Sequence, residues 1–189
     1  NMDPYAIRAL LLSSVSAANS IIYTTAKMNY QNFGMGTTCV AAFLSDNGIA
    51  VVNVGDSRAY LYQSGQLTQL TKDHNVVNLL LDQGEIQPEE AKTHPQRHML
   101  TRAVGVERTV RPDYFEIHPE GAFKLLLCSD GLSGYCEEEE IQQILEQDLE
   151  AEALADRLIA LALEKDSLLS ACCELENNYL KNHPGIIYE

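Results

Sequence analysis

Two aspartates stand where a carboxylate can do chemistry, directly after apolar runs. Asp56 follows IAVVNV and Gly55, and Asp130 follows LLLCS. If these runs are buried strands, each strand fixes the aspartate backbone and the carboxylate emerges at the strand end. Hard cations such as Mg²⁺ and Mn²⁺ prefer oxygen ligands of this kind. Taken singly, each Asp is more simply the cap of a turn or helix, since Asp-Ser and Asp-Gly are common turn dipeptides.

Taken together with their neighbours, these aspartates belong to a set of ordered motifs. The motifs are GMGTT (34–38), VNVGDSRAYLY (52–62), LTKDH (70–74), DQGEIQPEEAKTHPQRHMLTRAVG (82–105) and LLLCSDGL (125–132). In this order and at these separations the sequence resembles the PPM-type metal-dependent protein serine/threonine phosphatases, in particular the small bacterial members. The resemblance is strongest over residues 3–165, and 166–189 form a divergent tail. We therefore predict a single phosphatase-like domain over 1–189.

The resemblance implies both a fold and a reaction. The fold is α+β, a four-layer α-β-β-α sandwich of antiparallel sheets, here expected to be incomplete at both ends. The reaction is dephosphorylation of phosphoserine and phosphothreonine proteins by a metal-activated water, with two or three Mg²⁺ or Mn²⁺ ions in a complete family member. No protein nucleophile is needed, in agreement with a sequence in which no Cys is followed by Arg six residues later.

The resemblance also assigns residues to the site. Asp130 would ligate a core metal and Asp56 a weaker third metal. Residues 82–101 would form a mobile flap beside the site. The side chains expected on its substrate side are His94, Arg97, His98 and, just beyond the flap, Arg102.

For several of these residues a structural role is the simpler interpretation. We expect His98 to be solvated, Arg97 and Arg102 to brace the flap rather than steer a phosphopeptide, and Arg58 to pair with Asp56. The remaining motif residues are expected to serve local backbone geometry. They are Gly34, Gly36, Thr37, Thr38, Gly55, Ser57, Ser129 and Gly131.

Two family motifs have no counterpart in the sequence. An Asp-Gly-x-Gly-Gly motif, whose Asp bridges both core metals, is not found, and neither is a C-terminal Gly turn with Asp-Asn. Asp166 comes too early for that motif, and Asn177-Asn178 lacks the acid. Asp130 would then be left without its fellow core ligands, so we expect weak or partial metal binding. Two hypotheses stay open: a phosphatase whose activity is lost or depends on absent segments, and a non-catalytic, phosphatase-like protein-binding module.

Charge and cysteine content limit the partners and the compartment. The 13 Lys and Arg against 27 Asp and Glu give a net charge of −14, of which 134–189 carry 3 − 14 = −11. This acidity disfavours nucleic-acid and anionic-membrane partners. The five cysteines are odd in number and form no C-x-x-C pair, which favours free thiols in a reducing compartment.

No signal peptide is recognised, and no apolar run approaches the roughly 20 residues of a membrane span. We therefore predict a cytoplasmic protein. The expected partner is a phosphorylated protein substrate. Absent strands would leave a sheet edge uncovered, which favours self-association.

Periodicity predicts the elements that must position these residues. An amphipathic helix over 4–28 is followed by a hairpin around Asn47-Gly48, which we expect to continue through AYLYQ and QLTQLT as a four-strand antiparallel meander. One short helix is predicted to end at Gly84, and a second is predicted to begin at Pro88. A further strand pair is predicted at 114–117 and 124–128, the second strand central in its sheet. EEEEIQQIL and LADRLIALAL then form two helices, and the tail begins as helix and loses its period.

Overall fold

The computed structural model of the chain describes residues 3–165, 174–175 and 186–188. Helices and strands form an α+β fold with two sheets, one of three strands and one of five. The helices are α1 (Pro4–Met28), α2 (Val76–Gln83), α3 (Pro88–Ala91), α4 (Asp130–Ser133), α5 (Glu138–Leu145) and α6 (Ala151–Lys165). The strands are β1 (Cys39–Ser45), β2 (Gly48–Val54), β3 (Arg58–Gln63), β4 (Gln66–Gln69), β5 (Asp113–Ile117), β6 (Phe123–Cys128), β7 (Glu174–Leu175) and β8 (Ile186–Tyr188). The predicted α+β class is confirmed.

The chain divides into two compact units, each assembled from separate stretches of sequence. The first comprises Asn1–Asp56 and Lys72–His118 and contains the sheet ordered β1-β2-β5. The second comprises Ser57–Thr71 and Pro119–Glu189 and contains the sheet ordered β4-β3-β6-β8-β7. A boundary between the units therefore falls inside the Gly55-Asp56-Ser57-Arg58 motif.

Helix α1 in the first unit matches the predicted helix in its bounds. Pro4 occupies its first position, where a missing N–H costs nothing. Val15 packs with Val52 and Val54 of β2. Asn19, also buried, donates to the carbonyls of Glu107 and Arg108 and accepts from the Gly105 N–H at 2.7 Å. One polar residue in the buried stripe thus ties the helix to the loop before β5.

The apolar character of α1 along its length differs from the sequence expectation. Among the described residues, α1 is a helix long and apolar enough to cross a membrane, with a mean hydropathy of 1.3 over 18 residues. The expectation that no apolar run approaches the length of a membrane span is therefore wrong by this measure, because Ala is itself apolar and Ser and Thr lower the mean hydropathy only modestly. Core helices of soluble proteins and signal sequences meet the same criterion, so the feature alone does not indicate a membrane.

The β1–β2 hairpin is as predicted. Cys39 pairs with Val54 at its open end and Ser45 with Gly48 at its turn. β5 adds on the other side of β2, where Asn53 pairs with Asp113. β2 is therefore the central strand and, with six of its seven residues buried, is the most protected strand of this sheet.

The predicted four-strand meander is wrong. β3 does not continue the β1–β2 sheet but pairs with β4 and with β6 in the second unit. The predicted pairing of 114–117 with 124–128 is also wrong, since β5 pairs with β2 and β6 with β3. Alternation of apolar residues identifies a strand but does not specify which strand pairs with it. The chain passes from one sheet to the other at Gly55, and an alternation pattern does not predict the backbone conformation of that residue.

The second unit packs two helices against its sheet. Its core contains Leu126 of β6, Ile141 of α5, and Leu154 and Leu158 of α6, all buried. The two predicted helices and the central position of β6, between β3 and β8, are confirmed.

The four-Glu run begins α5 as predicted. The Glu137 N–H donates to the Glu140 side chain at 3.0 Å in a capping box, and Glu140 pairs with Lys165 of α6 at 2.7 Å. The run therefore serves to start a helix and to join it to its neighbour.

The tail contributes strands that periodicity did not predict. β8 pairs parallel to β6, with Leu125 opposite Ile186, and β7 pairs antiparallel to β8. Each strand has at most three residues, too few for alternation to be recognised. The predicted helical start of the tail lies outside the described residues, as do Asp166, Cys172, Cys173, Asn177 and Asn178.

The burial contrast along α6 gives a stability prediction. Replacing Leu158, fully buried, by Ala should lower the free energy of unfolding by about 2–5 kcal/mol, because apolar contact is lost and a cavity is left. Leu163→Ala, on the exposed side of the same helix, should cost less than about 1 kcal/mol. Urea denaturation followed by circular dichroism measures both, and equal losses would contradict the assigned packing.

Candidate functional site

The turn after β2 presents Asp56 and depends on a glycine. Gly55 has φ +106°, and a Cβ added there would lie 2.4 Å from Thr38 Cγ2. Neither the backbone angle nor the space permits a side chain. Asp56, which follows, is only 8% exposed. The carboxylate predicted to ligate a metal is therefore held at the end of a buried strand by a backbone with little freedom.

His74 brackets this turn. The Gly55 N–H donates to His74 Nδ1 at 3.0 Å, and the His74 N–H donates to the Gly55 carbonyl at 2.9 Å. The side-chain amide of Asn53 adds longer contacts to the carbonyls of Gly55 and Lys72, at 3.4 and 3.3 Å. The LTKDH motif thus satisfies the polar backbone of the turn that carries Asp56.

The other edge of the His74 ring faces an ion pair. His74 Nε2 lies 3.1 Å from Asp113 Oδ2, and Arg102 Nη1 donates to Asp113 Oδ1 at 2.7 Å and to the Arg111 carbonyl at 3.0 Å. Partial burial acts to raise the pKa of Asp113, but the hydrogen bonds from His74 and Arg102 outweigh it and hold that pKa below its usual value. Arg102 therefore ties Asp113 to Arg111, and both its bracing of the flap and its assignment to the substrate side stay predictions.

The predicted flap, residues 82–101, contains the end of α2, all of α3 and the turns that follow. α2 ends at Gly84 in the left-handed conformation and α3 begins at Pro88, as predicted. His94 is half-buried, and its Nδ1 accepts from the Gln96 N–H at 3.2 Å. Arg97 and His98 are exposed. The structure places these side chains on one exposed loop, and their substrate-side role stays a prediction.

The flap is anchored at its base by backbone hydrogen bonds. The Val76 N–H donates to the Met99 carbonyl at 2.9 Å, and the Thr101 N–H donates to the His74 carbonyl at 2.8 Å. The Thr37 and Val104 backbones exchange two further bonds, at 3.0 and 2.8 Å. Thr37, from the GMGTT motif, and the end of the flap thus belong to one small network.

An open cleft of about 710 Å³ lies beside this network. Its wall combines backbone and small side chains with two guanidinium groups. The lining residues are Gly34, Gly36, Thr37, Leu100, Thr101, Arg102, Ala103, Val106, Glu107, Thr109, Val110 and Arg111.

Asp130 lies in the second unit, directly after β6. It is exposed and begins the short helix α4, with Ser129 as its N-cap accepting from the Gly131 N–H at 3.2 Å. In the same unit Arg58 donates to the buried Tyr60 hydroxyl at 2.9 Å. The predicted pair of Arg58 with Asp56 stays a prediction, as does the metal-binding role of both aspartates.

The described residues do not bring together the ligands that a metal centre requires. Within them, no group of three or more His, Cys, Asp or Glu side chains could hold a metal ion. A site with two or three ions needs several converging carboxylates. The described part of the chain therefore does not fit a complete metal centre of the kind that the resemblance implies.

Two residues of this region were missed by sequence reasoning. The LTKDH motif by itself assigns no role to His74, and the sequence does not point to Asp113. The signal in the sequence that could have identified His74 is a histidine within a motif whose residues show no apolar periodicity. Asp113 carries no such signal, because its proximity to His74 arises from the β2–β5 pairing.

The constraint at Gly55 gives the first prediction from the site. Gly55→Ala should destabilise the fold by roughly 2–5 kcal/mol, since it combines an unfavourable φ with a clash against Thr38. Gly34→Ala is the matched control, because φ is +78° there but no atom lies within 4 Å of the added Cβ. Its cost should be about 1–2 kcal/mol. Thermal and urea denaturation measure both, and a larger loss for Gly34→Ala would contradict the assigned constraint.

The ion pair at Asp113 gives a pH-dependent prediction. A carboxyl whose pKa is lowered by folding stabilises the fold above its ordinary pKa of about 3.9, and this contribution disappears as the pH falls through the lowered value. Asp113→Asn removes the charge with little change in shape. At pH 7 we expect it to cost about 0.5–1 kcal/mol, a small value because the side chain is 46% exposed.

Urea titrations at pH 7 and pH 3 test this prediction. The difference between the parent chain and the variant should shrink at pH 3. Asp46→Asn, in the exposed β1–β2 turn, is the control and should show no comparable pH dependence. A difference that persists undiminished at pH 3 would mean that the charge of Asp113 is not what stabilises this region.

Comparison with known proteins identifies relatives of this chain in sequence and in structure. A family model described as protein phosphatase 2C matches residues 6–80. The serine/threonine phosphatase stp of Listeria monocytogenes is 40% identical over 156 residues, which cover 82% of this chain and 62% of the relative. The chain thus spans less than two thirds of the length of that relative.

Solved structures agree with the sequence relatives. The serine/threonine phosphatase of S. agalactiae aligns with a TM-score of 0.83 at 32% identity, covering 88% of this chain and 68% of that one. The catalytic domain of the serine threonine protein phosphatase PstP, in complex with two manganese ions, aligns with a TM-score of 0.74 at 37% identity, covering 86% and 67%. Because the chain is 32% and 37% identical to these two structures and covers two thirds or more of each, it belongs to the protein phosphatase 2C family, the PPM-type serine/threonine phosphatases that its motifs resemble.

Proposed function

We propose that the chain is part of a protein phosphatase that removes phosphate from phosphoserine and phosphothreonine proteins with Mg²⁺ or Mn²⁺. The observation that carries the proposal is the turn at Gly55, which holds the buried Asp56 at the end of β2 and is bonded to the base of the flap through His74. A carboxylate with a fixed backbone beside a loop able to contact substrate suits a phosphatase site better than a structural turn alone. Family membership supports the same reaction class.

The proposal includes a metal assignment and a limit on it. Asp56 and Asp130 are the candidate ligands that the described residues offer. They belong to different units and do not form a three-ligand group with other side chains of the described part. We therefore expect the chain by itself to bind divalent ions weakly and to turn over phosphate esters at background. Carboxylates beyond those described would be needed for a working centre.

A non-catalytic binding module is the second candidate. It is favoured by the same lack of a three-ligand group among the described residues and by the acidity of 134–189, net −11. Part of this charge lies on the exposed start of α5, at Glu138 and Glu139. A cationic protein surface would suit this acidic region.

Compartment and assembly belong to the same proposal. We retain a cytoplasmic location, because the reaction acts on phosphoproteins and the described cysteines, Cys39, Cys128 and Cys136, are free thiols. Self-association through a sheet edge is also retained as a proposal.

Turnover of p-nitrophenyl phosphate with Mn²⁺ tests the limit on activity. The purified chain should show no more than background hydrolysis, and Asp130→Asn should change nothing. Robust turnover that Asp130→Asn abolishes would contradict the expected background activity and show that this chain assembles a working site.

Isothermal calorimetry with Mn²⁺ is the companion measurement. Weak binding that falls further in Asp56→Ala or Asp130→Ala, but not in Asp46→Ala, supports the assigned ligands. Tight binding of two ions would contradict the expected partial site, and binding unaffected by either substitution would contradict the ligand assignment.

A further inference from the structure

His74 makes contacts to three separate segments of the first unit. Its ring and its backbone N–H both bond Gly55, in the turn that carries Asp56. Its backbone carbonyl accepts from the Thr101 N–H at the base of the flap. Its Nε2 faces Asp113 at the start of β5. His74 is 7% exposed, so its bonds to Gly55 are shielded from water, whereas the Asp113 side chain that it faces is 46% exposed.

The hydrogen-bond geometry determines the tautomer of the ring. Nδ1 accepts from the Gly55 N–H and therefore carries the lone pair, so the ring proton is on Nε2. Arg102 Nη1 lies 3.0 Å from Nε2, but its two hydrogens are taken up by Asp113 Oδ1 and the Arg111 carbonyl. The Nε2–H is thus left to donate to Asp113 Oδ2. Asp113 orients the imidazole so that its acceptor nitrogen points at Gly55.

We propose that His74 is a positioning residue that holds the backbone of Gly55, and through it Asp56, in fixed register with the base of the flap. The hydrogen bond from the Gly55 N–H to His74 Nδ1 fixes the turn. The bond from the Thr101 N–H to the His74 carbonyl fixes the base of the flap to the same residue. Motion of the flap base would be transmitted to the turn through one residue. The value of this link for catalysis rests on the proposed function, whereas the link itself does not.

A simple packing role for a buried His makes a different prediction. Packing depends on the size of the side chain, whereas positioning depends on an acceptor at the place of Nδ1. In His74→Asn the amide oxygen stands near the place of Nδ1 and can still accept from Gly55. In His74→Gln the amide reaches instead towards the place of Nε2 and Asp113. Both variants lose the ring. Gln keeps one methylene more than Asn, so a packing role predicts the larger effect in His74→Asn, whereas the positioning role predicts it in His74→Gln.

Amide hydrogen exchange of the whole chain, followed by NMR, distinguishes the two roles. In His74→Gln the Gly55 amide should exchange at least about 10-fold faster than in the parent chain, while in His74→Asn it should stay within about threefold. Amides of the central strand β2 serve as the reference for global stability. Equal behaviour of Gly55 in the two variants, or full protection in both, would overturn the positioning role.

The Thr101 amide tests the link to the flap base. Its bond is to the backbone of His74 and survives either substitution, so faster exchange in His74→Gln alone would report transmission from the turn. An unchanged Thr101 beside a deprotected Gly55 would show that the flap base is independent, and would refute that part of the proposal.

The parent chain supplies a test that needs no variant to fold. A ¹⁵N–¹⁵N coupling through the hydrogen bond between the Gly55 amide and His74 Nδ1, with the proton on Nε2, is expected. A missing coupling or a proton on Nδ1 would contradict the assigned geometry. None of these measurements requires metal, substrate or turnover, so failure of the proposed phosphatase activity and failure of the positioning role give separate results.

Discussion

The contact of Gly55 with Thr38 is the constraint on which the candidate site depends. With φ at +106° and no room for a Cβ, the chain leaves β2 in one direction. This exit puts Asp56 at the strand end and sends the next residues into the second unit as β3. The His74 ring accepts from the Gly55 N–H, which would otherwise be buried without a partner at a cost of about 1–3 kcal/mol, and the His74 N–H donates to the Gly55 carbonyl, which the Asn53 amide also contacts. The steric constraint at Gly55 and its two hydrogen bonds with His74 thus fix the backbone position from which the Asp56 carboxylate extends.

The sequence predicted the elements well and their partners poorly. Helix α1 was found in full because Pro4 and a stripe of apolar residues are local signals, and the β1–β2 hairpin because Asn47-Gly48 is one too. The meander failed because the partners of β3 are decided by the turn at Gly55. Motif matching predicts roles for Asp56 and for residues 82–101, but it does not find Asp113, since the contact of Asp113 with His74 exists only after β5 has paired with β2.

The two aspartates predicted together have different surroundings. Asp56 is buried in a turn supported by the motifs around it, whereas Asp130 is exposed at the start of a four-residue helix. The end of a strand fixes the backbone of the residue that follows it. A binuclear centre also needs several ligand side chains that converge, and the described residues do not supply them. Family membership and a complete metal site are thus separate properties. The chain has the first, and its described part retains the scaffold of a site more fully than its ligands.

The pairing of β3 with β6 has a consequence for synthesis of the chain. Arg58 lies opposite Cys128, so β3 emerges from the ribosome some 70 residues before its central partner. At about 5–20 residues per second this interval lasts several seconds, during which the hairpin of β1 and β2 can already close. The long loop also raises the entropic cost of forming the second sheet. In the nascent chain β3 and β4 therefore form a hairpin whose edge stays unpaired until β6 has been synthesised.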